Sequence, residues 1–141
     1  MSRSGYSDDD DGDGRIAMWR GQVASAIRGK RGQKFLRDLA AALDAMPEKR
    51  LIKQEFECET GVCALGALGK ARGIDLTKLD PEDDCDTRKA ARMFDIADQL
   101  ALEVVYENDE GYWGREPETD EQRWVRMRKW VGGLIRETDG S

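Results

Sequence analysis

The sequence predicts a mostly α-helical protein: a single-domain bundle of about five helices with at most one small β-hairpin. Apolar residues recur at three- and four-residue spacing over several segments, turn residues separate these segments, and only one short stretch alternates as a strand does. The length of 141 residues suits one domain. We therefore expect a helical domain over residues 15–141, preceded by a disordered tail over residues 1–14, which contain five Asp.

Two amphipathic segments open the predicted domain. The first covers residues 15–28 and the second covers residues 33–46. Gly29 is expected to end the first helix, and Pro47 to stop the second. Because the turn between them is short, the two helices should pack as an antiparallel αα-hairpin.

A small hairpin and a short buried helix are predicted next. Residues 51–58 alternate partly and are followed by a Gly-containing turn. The run over residues 62–72 is small and apolar, which favours a buried helix. In that helix Gly66 and Gly69 permit the close approach of a neighbour, and Gly73 is expected to end it.

A long helix is predicted over residues 87–107, because apolar residues mark one face throughout. Residues 91–97 also allow a helix-turn-helix, in which the second helix, over residues 97–107, would enter a DNA groove. That helix carries acidic residues and no Lys or Arg, which is untypical of a recognition helix. We therefore favour one continuous or kinked core helix.

The last helix has the clearest start signal, since Thr119 and Gln122 fit a capping box. Its apolar face includes Trp124 and Trp130, whose spacing suits either the core or a dimer contact. The oligomeric state therefore stays open.

Composition excludes several kinds of chemistry. The chain has no His, so it cannot form a Ser-His or Cys-His nucleophile pair and lacks the commonest zinc ligand. Cys58, Cys63 and Cys85 are odd in number, which favours reduced thiols in a cytoplasm. The paired carboxylates lie in polar runs that suit solvated faces. We expect no enzyme activity, no cofactor and no metal.

The tail carries one metal-like pattern. Asp9, Asp11, Asp13 and Gly14 match the first six positions of an EF-hand calcium loop, but Arg20 stands where the closing Glu ligand belongs. A cation at that position opposes calcium binding. A plain acidic tail is the favoured interpretation.

Basic residues cluster at the turn between the first two helices. We call this set the basic turn; its members are Arg28, Lys30, Arg31, Lys34 and Arg37. Fixed positive charge beside a helix N-terminus is typical of a site for an anion or for nucleic-acid phosphates. The alternative is a solvated turn that balances the acidic segments of the protein.

Residues 75–121 carry sixteen acidic and five basic residues. The candidate partner-binding carboxylates of this acidic face are Asp83, Asp84, Asp98, Glu107, Asp109 and Glu110. Tyr112 and Trp113 lie in a polar loop, where aromatic side chains often anchor a partner.

Three stretches carry a resemblance. Residues 23–33, 62–67 and 106–110 read VASAIRGKRGQ, VCALGA and YENDE. They resemble segments of small hypothetical proteins of tailed bacteriophages and prophages, and the resemblance covers most of the chain after the tail. It implies a phage accessory role in the cytoplasm of a bacterial host. Such proteins often act by binding, as anti-CRISPR inhibitors of host defence complexes do, and no site residues are carried over.

Two functional hypotheses follow. The first is a non-enzymatic accessory protein that binds and modulates a host protein, such as a bacterial defence complex, through its acidic face. The alternative is a nucleic-acid-binding regulator that uses the basic turn around residues 28–37. Neither hypothesis involves a membrane, because no apolar run is long enough to span one.

Overall fold

The computed structural model describes residues 15–58, 61–80 and 83–136, without the side chains of residues 15–17 and 84. These residues form six helices and one two-stranded antiparallel hairpin. In chain order the elements are α1 (Arg15–Arg28), α2 (Lys30–Ala45), β1 (Glu57–Cys58), β2 (Gly61–Val62), α3 (Ala64–Arg72), α4 (Asp84–Met93), α5 (Asp98–Glu110) and α6 (Asp120–Leu134). The predicted fold class is confirmed. The tail and its calcium-loop pattern lie outside the described residues.

The chain reverses sharply between α1 and α2. Gly29 alone separates the two helices, because α2 begins at Lys30 and not at the predicted residue 33. Gly32 then lies against the end of α1, where an added Cβ would stand 1.9 Å from the Ala26 carbonyl oxygen. Only glycine fits this contact, so Lys30 is fixed in the first turn of α2, directly beside α1.

The hairpin lies against α3, where Glu57 pairs with Val62 across the two strands. An added Cβ at Gly66 would stand 1.9 Å from the Phe56 carbonyl oxygen, so the close approach predicted at this glycine is made by the segment that enters the hairpin. Gly73 ends α3 in the left-handed conformation, as predicted.

The prediction of one helix over residues 87–107 is wrong, because the chain breaks between α4 and α5. Asp95 takes a left-handed φ of 57°. The amide of Asp95 donates to the Arg92 carbonyl at 3.2 Å, and the amide of Ile96 donates to the Ala91 carbonyl at 3.0 Å. These two hydrogen bonds form a Schellman motif, which satisfies the last carbonyls of α4 and turns the chain.

The backbone of residues 91–97 therefore matches the helix-turn-helix alternative, but the chemistry of α5 does not suit DNA reading. Leu102, in the middle of α5, has no exposed surface, and α1 packs against this helix. A recognition helix needs an exposed face that carries basic or amide groups. In this fold α5 acts as a central core helix.

One buried apolar cluster joins α2, α3, α4, α5 and α6. From α6, Met127 and Val131 are fully buried in it, while Trp124 and Trp130 are partly buried and pack against it. The capping box of α6 is present with both of its hydrogen bonds. No helix in the described part of the chain is long and apolar enough to cross a bilayer.

Candidate functional site

The basic turn borders a surface cleft of about 450 Å³. The cleft lies between the end of α1, the start of α2 and the start of α5. Its lining includes Gln22, Ser25, Lys30, Arg31, Ala97 and Gln99. Polar and basic groups from three helices therefore meet at one concave site.

The start of α2 is an electropositive end of the cleft. Its N-cap, Gly29, offers no side-chain hydrogen bond, and the first turn contains no acidic residue. Lys30 and Arg31 instead place two cations next to the positive end of the helix dipole. Each such cation costs roughly 0.3–1 kcal/mol where an acid would stabilise the helix, so a bound anion would remove an unfavourable interaction.

The start of α5 forms the opposite wall. Its N-cap, Ala97, likewise makes no side-chain hydrogen bond to the first turn. Asp98 follows, but its carboxylate lies 3.7 Å from the Arg88 guanidinium and does not line the cleft. The side chain that α5 adds to the lining is the amide of Gln99, which can donate to an anion.

The cations of the basic turn differ in how they are paired. Arg28 and Lys30 are exposed and make no ion pair with a described residue. The Nη1 atom of Arg31 lies 3.0 Å from Oδ1 of Asp95, and these side chains are 62% and 81% exposed. An ion pair this exposed contributes at most about 1 kcal/mol, so a phosphate can replace the aspartate as the partner of Arg31.

Asp38 reduces the positive charge further along α2. Burial acts to raise the pKa of Asp38, but hydrogen bonds from Lys34 and Arg72 outweigh it and hold this pKa below its usual value. The carboxylate therefore stays ionised and offsets one of its two cationic partners. Lys34 adds less net charge to the site than Lys30 does.

A buried glutamine holds the basic turn in place. The Nε2 atom of Gln33 donates to the carbonyls of Ile27 at 2.7 Å and Leu134 at 3.1 Å. Its Oε1 atom accepts from the amide of Arg136 at 2.8 Å. Nearby, Arg37 donates to the carbonyl of the same Arg136 at 3.0 Å. The ends of α1 and α6 are thereby tied to α2, so the site is shaped before any ligand arrives.

Sequence reasoning found the basic residues but missed the polar lining, which comes from Gln22, Ser25 and Gln99, and the anchor Gln33. The spacing of Gln22, Ser25 and Gly29 was the available signal, because it places the three residues on one face of a helix. Gln33 gave no such signal, since two of its three partners lie 101 and 103 residues away along the chain.

The six carboxylates of the predicted acidic face do not form one cluster. Asp83 and Asp84 begin α4, Asp98 begins α5, and Glu107, Asp109 and Glu110 lie in the last turn of α5. Several also make internal contacts: the Oδ1 atom of Asp83 accepts from the Cys85 amide at 2.8 Å, and that of Asp109 accepts from the Gln54 amide at 2.9 Å. The side chain of Asp84 lies outside the described residues.

A buried arginine network closes the acidic end of α5. Arg126, from α6, donates to the carbonyls of Glu107 at 2.6 Å and Asn108 at 3.2 Å. It also donates to both carboxylate oxygens of Glu118, at 2.7 and 3.0 Å. The Nε atom of Arg123 lies 3.3 Å from the same carboxylate, and the side chains of Glu118 and Arg123 are only 5% and 4% exposed. Arg126 thereby supplies the cation that the last turn of α5 lacks.

Two groups beside this network matter for stability. Burial raises the pKa of Glu107, and the nearby Arg126 offsets only part of this effect. Asn108 is fully buried; its Nδ2 atom donates to the Ile52 carbonyl at 2.9 Å, and its Oδ1 atom accepts from the Ala64 amide at 3.1 Å. Glu107 is a predicted residue of the partner surface, whereas the structure places it beside Arg126 among these internal contacts.

Residues 111–119 connect α5 to α6; we call them the aromatic loop. Trp113 is 88% exposed, the highest value among the large apolar side chains of the described residues, and Tyr112 is 36% exposed. The phenol ring of Tyr112 lies against Gly114, where an added Cβ would stand 2.0 Å from its hydroxyl oxygen. The loop therefore keeps Tyr112 close to its own backbone and leaves Trp113 in solvent.

Among the described residues, no group of three or more Cys, Asp or Glu side chains is placed to hold a metal ion. No disulfide joins Cys58, Cys63 and Cys85, of which Cys63 is buried and Cys85 is exposed.

Comparison of the chain with known proteins identifies no family for it. No protein-family model, curated protein or solved structure matches the chain. The resemblance to phage and prophage proteins therefore stays a prediction. The residues of the basic turn and its cleft are the basis for a proposed function.

Proposed function

We propose that the chain binds nucleic acid through its phosphate groups, using the basic turn and the cleft beside it. The observation that carries this proposal is the meeting of Lys30, Arg31 and two helix starts at one cleft. Phosphate groups are the anions that such an arrangement suits, because helix N-terminal amides and fixed cations both bind them. The net charge of −6 does not oppose local binding, since residues 15–50 hold nine basic and three acidic residues.

Binding of this kind reads the backbone and not the bases. Arg28 lies at the end of α1, and the other four cations of the basic turn lie in the first two turns of α2, beside the positive end of that helix. A helix start with neighbouring cations binds phosphate groups, which carry no sequence information. We therefore expect affinity that depends strongly on salt and weakly on sequence. The role that fits is a regulator or accessory protein that coats or marks nucleic acid.

Binding of a host protein through the acidic face is the second candidate function. Part of its negative charge serves the fold, since Asp83, Asp98 and Asp109 contact groups of this same chain. A phage origin, a host partner and a role against host defence remain predictions from the resemblance. The aromatic loop, with the exposed indole of Trp113, is the feature of the structure that favours a protein partner.

Fluorescence anisotropy with short labelled single-stranded and duplex DNA tests the proposal. The test variant reverses four charges: Arg28→Glu, Lys30→Glu, Arg31→Glu and Lys34→Glu. The control variant reverses Lys53, Lys78, Lys89 and Lys129, which are exposed elsewhere, so both variants reach the same net charge. We expect micromolar binding at low salt, loss of at least about tenfold in the test variant only, and a log–log salt slope of roughly −3 to −4 for four phosphate contacts.

A gain of affinity should come from Asp95→Asn. This change removes the carboxylate that pairs with Arg31 and keeps a side chain that tolerates the left-handed backbone. We expect binding about two- to fivefold tighter at low salt. Binding that is absent at micromolar protein, or that falls equally in the test and control variants, would contradict the proposal.

A further inference from the structure

The aromatic loop is a second surface, at the other end of α5. Ala97 and Gln99, at the start of α5, line the cleft beside the basic turn. The aromatic loop begins at Gly111, directly after the end of α5. A helix of 13 residues is about 20 Å long. The loop is thus separate from the proposed nucleic-acid site and needs its own explanation.

Exposure of the Trp113 indole to water is energetically unfavourable. Its indole is 88% exposed, whereas Trp124 packs against the core and donates from Nε1 to the Leu43 carbonyl at 3.1 Å. Large aromatic side chains in solvent at a loop tip are typical anchors of protein interfaces, because their burial contributes much binding energy from few atoms.

The loop that presents this indole is held at both ends. Arg126 donates hydrogen bonds to the carbonyls of Glu107 and Asn108 at the end of α5. It also donates to the carboxylate of Glu118, near the end of the loop. Thr119 then caps α6, and Tyr112 packs on Gly114 within the loop. The backbone that carries Trp113 is therefore held before binding, which reduces the conformational entropy that the loop loses when a partner docks.

The charge around the indole selects the partner. Glu110 and Glu116 flank Trp113 in sequence and are exposed, and Glu121 is exposed in the first turn of α6. Arg115 is the one exposed cation of the aromatic loop, against these three exposed carboxylates. Glu107 and Glu118 add no free charge, because both already pair with Arg126. A cation can stack on an indole face while its neighbours pair with carboxylates.

We propose that the aromatic loop docks a basic segment of another protein, with an Arg or Lys side chain stacked on Trp113 and neighbouring cations paired with Glu110 and Glu116. The acidic-face prediction is thereby narrowed to one exposed site at the end of α5. This proposal does not depend on nucleic-acid binding, because none of its residues belongs to the cleft.

A labelled peptide of Arg and Gly, with a Ser and Gly peptide as the uncharged control, tests the docking site. The variant Trp113→Ala should weaken binding of the basic peptide about fivefold or more, while Trp113→Phe should retain part of the affinity. Val125→Ala removes an apolar side chain that is 60% exposed on α6 and should leave the affinity unchanged. The double variant Glu110→Gln, Glu116→Gln should weaken binding at low salt and less at high salt.

Nitrogen–proton NMR of the four indole groups gives a second readout. The Trp113 signal, assigned by its loss in Trp113→Phe, should shift on peptide addition, and the Trp124 signal should not. Equal affinity in the wild type and Trp113→Ala, or a shift of Trp124 alone, would overturn the proposal. So would sedimentation that shows self-association lost in Trp113→Ala, because a second copy of this chain would then be the occupant.

Discussion

The structural roles of several side chains are not evident from their residue types. Glu107 lies in an acidic stretch yet is half-buried beside Arg126, and Asn108 next to it is fully buried. Asn108 satisfies the Ile52 carbonyl and the Ala64 amide, which would otherwise be buried without a partner. Asn108 thereby stabilises the junction of α5, α3 and the hairpin segment, and Glu107 is half-buried beside it.

Glu107 makes a testable contribution to the pH dependence of stability. Burial raises its pKa in the folded state, so folding binds protons between the ordinary pKa and the raised one. Stability therefore falls as pH rises through this window, and at pH 7 the ionised carboxylate opposes folding. We expect Glu107→Gln to raise the free energy of unfolding at pH 7 and to have little effect at pH 4.

Urea denaturation between pH 4 and pH 8 measures this effect. Glu55→Gln, an exposed change outside the helices, is the matched control for the loss of one carboxylate. A Glu107→Gln protein that loses stability at pH 7 would show that the ion pair with Arg126 outweighs the cost of burying the carboxylate.

At the scale of elements, the break between α4 and α5 decides where the central helix begins. The Schellman motif at Asp95 brings Phe94 and Ile96 into the core together, with exposures of 2% and 4%. A continuous helix would separate these two side chains by about 200° around its axis, so both could not face one core. The break also directs the start of α5 to the cleft beside α2.

The left-handed φ at Asp95 predicts an ordered series of stabilities. Glycine adopts this conformation without steric cost, Asn and Asp tolerate it, and β-branched residues do not. Relative to the wild type, we expect Asp95→Gly to be neutral or up to about 1 kcal/mol more stable, Asp95→Asn to be near neutral, and Asp95→Val to lose about 1–2 kcal/mol. Chemical denaturation checks this order of stabilities. An Asp95→Val protein as stable as the wild type would contradict the left-handed conformation of Asp95.

At the scale of the whole molecule, opposite charges are segregated along α5. The basic turn and its cleft lie at the start of this helix, and the aromatic loop with its acidic neighbours follows the end. Both ends carry charge of the same sign as the helix dipole has there, with cations near the positive start and carboxylates at the negative end, where Arg126 compensates. Two surfaces of opposite sign on one small domain suit a protein that connects an anionic partner to a cationic one.

Because the two surfaces are about 20 Å apart, their coupling should depend on ionic strength. At 0.15 M salt the screening length is about 8 Å, so reversing the four charges of the basic turn should change the affinity for the basic peptide less than about twofold. At 0.01 M salt the length is about 30 Å, and the same variant should bind the peptide more tightly. A large change at 0.15 M salt would indicate one continuous site and not two.

Local sequence patterns suffice to predict the helical fold class, the bounds of α1, the left-handed end of α3 and the capping box of α6. Each of these depends on residues that lie within a few positions of one another, so periodicity and cap chemistry report them directly. The sequence also located the basic turn and the aromatic loop, since charge and aromatic residues cluster there along the chain.

Local patterns do not reveal that α4 and α5 are separate, or that several carboxylates of the predicted acidic face contact groups of this same chain. Nor do they reveal that Gln33, Asn108, Arg123 and Arg126 hold the elements together, since these contacts depend on the tertiary structure. The partners of these side chains lie up to 103 residues away. Polar residues show no periodicity that reveals such pairing, because a buried hydrogen bond is specified by where two distant segments meet and not by local spacing.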